Sequence, residues 1–367
     1  MPERPLRRGG AGTGYAPPVV GDAGNTNDDG LDRERLEKWF GLEIAGAAPP
    51  LRYERIAGGR SNLTFRVHDS DGSRWILRRP PLGATLGSAH DMAREHRILS
   101  GLADADVPTP RPFALCTDES VTGADFYVME LVDGLVLRTE EEVCAAFDEG
   151  GRRRIGEALV DTLADLHAVD PDEAGLGELG RRECYAERQL KRWMRQWEAS
   201  KTRELEAMEE THRLLSGRVP EQRTTTLVHG DYRLDNVIVT PAGEIAAILD
   251  WELCTLGDPL ADVGQLLVYW AEDTDEVVPL TRAPTLAPGF PRRAELVERY
   301  AARSGRDVAD LDFFVALAYW KLAAILEGVY ARYSAGAYGE TTDEFRSFGK
   351  IVEQLADAAL AAARRLE

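Results

Sequence analysis

Cysteine is scarce in this 367-residue sequence, and long apolar runs are missing. The four cysteines, Cys116, Cys144, Cys184 and Cys254, show no C-x-x-C spacing, which argues against a zinc site or a disulfide framework. No stretch approaches eighteen uncharged apolar residues, and the first thirty residues contain no apolar segment of signal-peptide length. We therefore expect a cytoplasmic protein that works in a reducing environment and neither crosses nor binds a membrane.

Positively charged residues are fewer than negatively charged ones. Lysine and arginine number 44 against 63 aspartates and glutamates, a formal net charge of −19. A chain of that sign repels polyanions at long range, so non-specific nucleic-acid binding is not expected. The hydrophobic content of 44% at this length suffices for two lobes with separate cores. Residues 1–30 are rich in Pro, Gly, Asp and Arg and are predicted to be a disordered tail.

The first folded segment combines one helical rhythm with several short β-type runs. The helical rhythm starts at Leu31, and Asp71-Gly72 is a strong hairpin signal. A second helix is predicted from Ser88 to Leu102, with Ser88 as its N-cap. The predicted strands are Leu51–Ile56, Leu63–His68, Trp75–Leu77 and Phe126–Leu131.

Helices dominate the rest of the chain, apart from a strand predicted at Ile245–Leu249. We expect them near residues 150–169, 183–216, 259–270, 291–303, 308–333 and 341–366. The predicted fold class is therefore α+β with two lobes. A small N-lobe, residues 31–133, would hold an antiparallel sheet plus a helix. A larger C-lobe, residues 134–367, would be mainly helical.

Residues 228–236, Val-His-Gly-Asp-Tyr-Arg-Leu-Asp-Asn, carry the strongest functional signal. Asp231 and Asn236 stand at the interval that separates the base from the metal ligand in the kinase catalytic loop H-R-D-x-x-x-x-N. Asp250, at the end of an apolar run, takes the place of the D-F-G aspartate. Asp231 is thus the predicted catalytic base, and Asn236 and Asp250 are the predicted Mg²⁺ ligands.

Across roughly residues 50–340 the sequence resembles the aminoglycoside phosphotransferase (APH) family, a branch of the protein-kinase-like fold. It is especially similar to the phosphotransferase domains associated with acyl-CoA dehydrogenases, and the motif order is preserved. The motifs that carry this resemblance are Gly59-Arg60-Ser61-Asn62-Leu63-Thr64, Leu77-Arg78-Arg79-Pro80-Pro81, Arg94-Glu95, Tyr127-Val128-Met129-Glu130 and Gly257-Asp258-Pro259-Leu260-Ala261-Asp262.

The resemblance implies a nucleotide site in the N-lobe, with ATP as the cofactor and GTP not excluded. A loop of small residues and free backbone N–H groups would cover the phosphates, namely Gly58, Gly59, Arg60 and Ser61. Arg78 stands where kinases place a phosphate-binding lysine, and its neighbour Arg79 is the alternative. Glu95 would pair with Arg78.

Two further pairs of residues follow from the same resemblance. The backbone from Glu130 to Val132 would read adenine at the hinge between the lobes. His229 and Asp262 would support the catalytic loop structurally without taking part in the chemistry. The sequence leaves the oligomeric state open.

The chain lacks the parts of a protein kinase that dock peptides. From Asp250 it reaches Pro259 and the next helix within a few residues, which leaves no room for an activation segment. Gly230 also replaces the arginine that would pair with a phosphorylated activation loop. A hydroxyl of a small molecule is therefore the expected phosphate acceptor.

Residues 181–203 are locally basic, with eight Lys or Arg residues against three glutamates. Arg188, Lys191, Arg192 and Arg195 recur at helical spacing and are the predicted substrate contacts. They favour an anionic acceptor such as a hydroxyacyl-CoA, although the same pattern suits the solvated face of an amphipathic helix. Two other functions remain open: an aminoglycoside or macrolide antibiotic kinase, and a catalytically silent nucleotide-binding pseudokinase.

Overall fold

The computed structural model describes residues 30–56, 62–81, 91–279, 283–334 and 343–366. Nearly all of the predicted N-terminal tail lies outside these ranges. The small lobe holds one antiparallel sheet with strand order β1-β2-β3-β5-β4. Its elements in chain order are α1 (Arg33–Glu43), β1 (Arg52–Arg55), β2 (Leu63–His68), β3 (Arg74–Arg79), α2 (Met92–Leu102), β4 (Pro112–Cys116), the short α3 (Glu119–Thr122) and β5 (Phe126–Glu130).

Alternation along β3 assigns its side chains to the two faces of the sheet. Trp75 and Leu77 face α1 and join the core cluster of Leu36 and Phe40. Ile76 faces the other way, toward the core shared with α2 and the large lobe. Arg78 follows the parity of Ile76 and Arg79 that of Trp75, so the two neighbouring arginines point to opposite sides of the sheet.

Helix α2 begins later than predicted. The expected N-cap, Ser88, lies outside the described residues, and the observed cap is Asp91, whose side chain accepts from the Arg94 amide. Arg94 in turn donates to the carbonyl oxygen of Cys254 at 2.8 Å. The cap and this bond hold the start of α2, and Glu95 with it, against the large lobe.

The large lobe is mainly helical, with short strand pairs that carry the loops of the site. The helices are α4 (Glu140–Ala146), α5 (Glu149–Ala168), α6 (Tyr185–Ser200), α7 (Glu206–Ser216), α8 (Leu260–Tyr269), α9 (Arg293–Ser304), α10 (Leu311–Ser334) and α11 (Asp343–Arg364). The strands are β6 (Thr226–Val228), β7 (Val237–Val239), β8 (Ile245–Ile248) and β9 (Thr255–Gly257). Strand β6 pairs with β9, and β7 pairs with β8, both antiparallel. The predicted α+β, two-lobed fold is confirmed.

The helix predicted over 183–216 is in fact two helices. Glu327, a fully buried carboxylate on α10, accepts from the backbone amide and the hydroxyl of Thr202, each at 2.7 Å. A carboxylate buried so deeply requires such donors, and they turn the chain between α6 and α7. Helix α4 was not predicted, although Thr139 and Glu142 form the capping box that a T-x-x-E sequence encodes.

Helix α10 is apolar along most of its length. Within the part of the chain that the structure describes, it alone has the length and mean hydropathy, 1.4 over its most apolar window, of a membrane-crossing helix. That window is 61% buried inside the fold, where α10 packs on α8 and α11. Its apolar character is accounted for by this interior position, and Lys321 and Glu327 interrupt it.

Candidate active site

The loop after β6 places Asp231 beside Asn236. The Asn236 amide group donates both to the Asp231 carboxylate, at 2.8 Å, and to the Asp231 carbonyl oxygen, at 2.9 Å. The Asn236 side chain thus connects directly to Asp231, the residue that the sequence places five positions before it. Arg233 lies 3.3 Å from the same carboxylate through Nε. The Asp231 side chain stays 24% exposed, so a hydroxyl group can reach it.

Strands β7 and β8 bring Asn236 and Asp250 together. Val237 pairs with Ile248, and the Leu249 amide donates to the Asn236 carbonyl oxygen at 2.8 Å. Asp250 therefore follows directly on the residue bonded to Asn236. Its backbone is left-handed, with φ of +64°, a conformation that costs energy for a residue with a Cβ and is concentrated at functional sites. The structure assembles Asp231, Asn236 and Asp250 in one place.

His229 and Asp262, the predicted structural supports, are fully buried and hydrogen bonded to this loop. Asp262 accepts from the backbone amides of His229, at 2.6 Å, and Gly230, at 2.7 Å. The His229 ring accepts from the Asp231 amide at 3.2 Å through Nδ1, and its Nε2 lies 2.9 Å from the Leu249 carbonyl oxygen. Burial favours the neutral acid at Asp262, yet its hydrogen bonds with His167 and with the Gly230 amide hold its pKa below the usual value.

Arg78 joins the small-lobe sheet to Asp250 in the large lobe. Its guanidinium donates to Asp250 at 2.5 Å and lies 3.0 Å from Glu95, an ion pair without hydrogen-bond alignment. Glu95 is 2% exposed and also accepts from the Tyr127 hydroxyl at 2.9 Å. Arg79, on the opposite face, donates to the carbonyl oxygens of Gly30 and Pro80. Arg78 is therefore the arginine directed at the site.

Two polar residues that the sequence analysis did not select complete this cluster. Asn62 is 4% exposed and donates to Glu95 at 3.2 Å and to Glu252 at 3.3 Å. Glu252 also lies 4.0 Å from Arg78. Sequence position gave a signal for both, because Asn62 belongs to the motif that carries the resemblance and Glu252 is two residues after Asp250.

Several predicted nucleotide contacts lie at the margin of what the structure describes. Gly58, Gly59, Arg60 and Ser61 fall outside the described residues. Glu130 ends β5, where its amide donates to the Arg111 carbonyl oxygen at 2.8 Å, and Val132 is partly buried in the link between the lobes. Gly134 is required there, since a Cβ at this residue would lie 2.4 Å from Ile238 of β7.

The donor set suits Mg²⁺ held jointly with a nucleotide. The Asn236 side chain donates to Asp231 through its nitrogen, so its Oδ1 atom can act as a ligand for a cation. Asp250 supplies a carboxylate. Within the described ranges no group of three His, Cys, Asp or Glu side chains is arranged to hold a metal ion. Mg²⁺ characteristically takes one or two protein ligands together with substrate phosphates, so a carboxylate and an amide are a fitting set.

Helix α6 carries the predicted substrate contacts on its exposed side. Arg188 is tied to the protein, donating to the carbonyl oxygens of Arg181 at 2.7 Å and Leu256 at 3.4 Å. Arg192 lies close enough to Lys321 for its charge to lower the pKa of that lysine. Lys191 and Arg195 instead line a groove of about 400 Å³ between α6 and α7. The four basic residues predicted as substrate contacts therefore lie in different environments.

Lys321 of α10 also reaches the catalytic loop, and the sequence analysis missed it. Its ammonium group donates to the Gly230 carbonyl oxygen at 2.7 Å and to the Gln265 side chain at 3.3 Å. The available signal was a lysine in the middle of an otherwise apolar stretch of α10.

Comparison with known proteins agrees with this arrangement. The sequence model of the phosphotransferase enzyme family, APH, matches residues 52–323. This chain belongs to the APH phosphotransferase family. Among its relatives are acyl-CoA dehydrogenase family member 10 of Mus musculus, 34% identical over 90% of this chain, and member 11 of Gallus gallus, 35% identical over 92%. The chain spans only 31% and 44% of those two proteins.

Solved structures give the same fold. A candidate aminoglycoside phosphotransferase from Ralstonia eutropha superposes with a TM-score of 0.79 at 32% identity, over 91% of this chain and 99% of that one. Aminoglycoside phosphotransferase APH(4)-Ia, in a ternary complex with AMP-PNP and hygromycin B, superposes at 0.58 and 15% identity, over 89% and 98% of the two chains. The predicted family resemblance is confirmed, including its link to acyl-CoA dehydrogenases.

Proposed function

We propose that this chain is a Mg²⁺-dependent kinase that transfers the γ-phosphate of ATP to a hydroxyl group of a small anionic metabolite, such as a hydroxyacyl-CoA. The observation that carries the proposal is the convergence of Asp231, Asn236, Asp250 and Arg78 on one site. Family membership supports phosphoryl transfer, and the nucleotide analogue bound by APH(4)-Ia supports a nucleotide donor.

In the proposed reaction Asp231 accepts the proton of the acceptor hydroxyl. The hydroxyl oxygen forms a bond to the γ-phosphorus while the bond from that phosphorus to the β–γ bridging oxygen breaks, and ADP leaves. Arg78 holds phosphate oxygens with its guanidinium fork. Asn236 and Asp250 would hold Mg²⁺, which would neutralise part of the charge of the triphosphate.

Two features favour an anionic acceptor. Arg192 and Lys321 place positive charge beside the catalytic loop, whereas a polycationic acceptor requires carboxylates there. The relatives named above are acyl-CoA dehydrogenase family members, which supports an acyl-CoA-linked substrate. Binding of such a substrate would gain from electrostatic attraction that salt weakens.

An antibiotic kinase is the second candidate, favoured by the similarity to the Ralstonia protein. The acceptor's charge separates the two, because aminoglycosides are polycations. A pseudokinase is disfavoured, since Asp231, Asn236 and Asp250 are all present and brought together.

An ATP-consumption screen tests the proposal. The panel would contain hydroxyacyl-CoAs, free hydroxy acids, choline-like alcohols and aminoglycosides, each with the wild type and with Asp231→Asn. We expect ADP formation with an anionic hydroxyl compound and its loss in the variant. Preferential use of aminoglycosides would overturn the substrate assignment, and turnover unaffected by Asp231→Asn would overturn the mechanism.

A further inference from the structure

Among the residues that the structure describes, the direct contacts of Lys321 are with neutral groups. Its ammonium group contacts the Gly230 carbonyl oxygen, the Gln265 amide oxygen and, at 5.8 Å, the face of the Trp193 ring. Among the described residues no carboxylate forms an ion pair with it. A buried ammonium group that forms no direct ion pair is costly, so its position here calls for a reason beyond packing.

The contact to Gly230 fixes the peptide group that precedes the Asp231 side chain. Lys321 holds the carbonyl oxygen of the Gly230–Asp231 peptide at 2.7 Å, and His229 Nδ1 accepts from the N–H of the same peptide at 3.2 Å. Both polar atoms of this peptide therefore have partners. Its plane, which sets the direction of the Asp231 Cα–Cβ bond, is held from two sides.

The residue on the other side of that peptide is held as well. Gly230 has a φ of +83°, and a Cβ at this position would lie 2.9 Å from the Leu253 carbonyl oxygen. Its amide donates to Asp262. Asp262 belongs to α8 and Lys321 to α10, two helices that pack together. The two helices therefore hold both polar groups of the Gly230 backbone. Asp262 of α8 accepts from its N–H, and Lys321 of α10 donates to its carbonyl oxygen.

The space around Lys321 is too small for an acceptor molecule. The cavity that it lines with Tyr185, Gln189 and Gly230 measures about 20 Å³, room for a single water. Lys321 is therefore placed to act through the loop and not by direct contact with the acceptor in this cavity.

We propose that Lys321 is a positioning residue for phosphoryl transfer, which fixes the Gly230–Asp231 peptide and so directs the Asp231 carboxylate toward the acceptor hydroxyl. This inference rests on the proposed function, because it takes Asp231 as the catalytic base. Small errors in the placement of a base are costly, since a shift of about 1 Å can reduce a rate about 100-fold.

The first test separates positioning from binding and from folding. Lys321→Met, Lys321→Arg and the control Lys201→Met, which removes a lysine from a surface salt-bridge cluster, are compared with the wild type. The probe is Mg²⁺-ATP with water as the phosphoryl acceptor, followed by ADP release. We expect Lys321→Met to lower kcat about 10- to 100-fold, with the Kd for Mg²⁺-ATP and the melting temperature close to wild type. Lys321→Arg should recover most of the rate, and Lys201→Met should behave as wild type.

The second test uses pH and does not depend on Lys321→Met folding. Burial lowers the pKa of Lys321 below 10.5, Asp231 and Asp262 oppose this fall, and Arg192 adds to it. Below that pKa the amine is charged and holds the carbonyl oxygen through a charge-assisted bond, which weakens when the proton leaves. The kcat of the wild type should therefore decline as the pH rises through it. Lys321→Arg stays charged and should lack this decline.

The outcomes separate this inference from the proposed function. A wild-type rate and pH profile in both Lys321 variants, while Asp231→Asn abolishes ADP release, would overturn the role of Lys321 and leave the kinase proposal standing. ADP release at the wild-type rate in Asp231→Asn would overturn the kinase mechanism itself. Loss of the alkaline decline in Lys321→Arg alone supports the inference even where Lys321→Met does not fold.

Discussion

Arg78 and Lys321 are two cations that reach the same site from different lobes and meet opposite surroundings. Arg78 lies among three carboxylates, Asp250 at 2.5 Å, Glu95 at 3.0 Å and Glu252 at 4.0 Å. Lys321 meets carbonyl and amide oxygens and an aromatic ring. The carboxylates around Arg78 leave surplus negative charge on the nucleotide side, which suits a divalent cation that arrives with a triphosphate, whereas Lys321 holds the catalytic loop through neutral dipoles.

Burial disfavours the charged form of both residues, yet their pKa values shift in opposite directions. At Arg78 burial favours the neutral form, but charge from Glu95, Tyr127 and Asp250 raises the pKa above its usual value. At Lys321 burial prevails and the pKa falls. The charge of Arg78 is thus permanent, and that of Lys321 responds to alkaline pH. We infer that ion pairs on the nucleotide side must rearrange as substrates bind, while the loop side keeps its contacts.

The largest expected effect comes from Asp231, the proposed base between these two regions. Asp231→Asn should reduce kcat about 10²- to 10⁴-fold, the usual contribution of a general base. The Kd for Mg²⁺-ATP should not change, because Asp231 is not among the proposed metal or phosphate contacts. Steady-state kinetics and calorimetric titration measure the two quantities.

Asp235→Asn is the matched control, since Asp235 pairs with the same Arg233 at 3.0 Å. It should retain most of the activity. An Asp235 variant as inactive as the Asp231 variant would mean that the ion-pair network around Arg233, and not the base, sets the rate.

Asp250→Asn should separate metal from phosphate binding. It removes a charge from the metal shell and also the partner of Arg78. Affinity for Mg²⁺-ATP should fall about tenfold or more, the equivalent of a lost charge-assisted contact. Affinity for ATP in EDTA should hold or rise, because Arg78 is released toward the phosphates. Calorimetry with and without Mg²⁺ distinguishes the two; equal losses in both conditions would place the metal elsewhere.

Arg78→Lys tests the arginine without leaving Glu95 unpaired, which Arg78→Ala would do at a cost of about 3–5 kcal/mol. Lysine keeps the charge and loses the fork, so the KM for ATP should rise about tenfold with little change in the KM for the acceptor. Arg79→Lys, on the other face of the sheet, is the control. An ATP KM that responds to position 79 and not to position 78 would contradict the strand parity observed here.

Sequence patterns predicted the parts of the site whose residues lie close together along the chain. The interval from Asp231 to Asn236 and the run ending at Asp250 are local, and the structure assembles all three residues. The alternation of side chains along β3 could also have distinguished Arg78 from Arg79. Trp75 and Leu77 lie on the same face of the strand as Arg79, which leaves Arg78 on the face toward the site. The catalytic roles themselves stay predictions.

Contacts between distant elements could not be predicted. Lys321 is 91 residues from Gly230, and Asn62 is 190 from Glu252. No periodicity links such pairs, which depend on how α10 and the sheet pack. The break between α6 and α7 was missed for a similar reason, since the carboxylate that turns the chain, Glu327, comes from another helix. The start of α2 was misplaced because Ser88 and Asp91 are both good capping residues.

Charge reversal on α6 should have a smaller effect that depends on position. Arg192→Glu should raise the KM for an anionic acceptor several-fold, because Arg192 lies on the side of Lys321, and added salt should raise the wild-type KM in the same direction. Lys191→Glu should have less effect, since Lys191 lines the groove toward α7. The comparison uses the hydroxyacyl-CoA and aminoglycoside arms of the screen. Improved use of aminoglycosides by Arg192→Glu, without loss of the anionic acceptor, would favour the antibiotic kinase.

The smallest expected effect concerns the neutral support behind Asp262. His167 is fully buried, 2.7 Å from the Tyr300 hydroxyl and 3.3 Å from Asp262, and burial lowers its pKa below 6.5. Below pH 6.5 the unfolded chain takes up a proton that the folded protein refuses, so the free energy of unfolding falls as the pH drops, by at most about 1.4 kcal/mol per pH unit from this residue. Urea denaturation at pH 7.5, 6.5 and 5.5 measures it. His167→Asn should flatten the slope, whereas the partly buried His212 should change it less when replaced by Asn. An unchanged slope in His167→Asn would mean that His167 is charged in the folded protein, and its contact with Asp262 would then be an ion pair and not a hydrogen bond from a neutral ring.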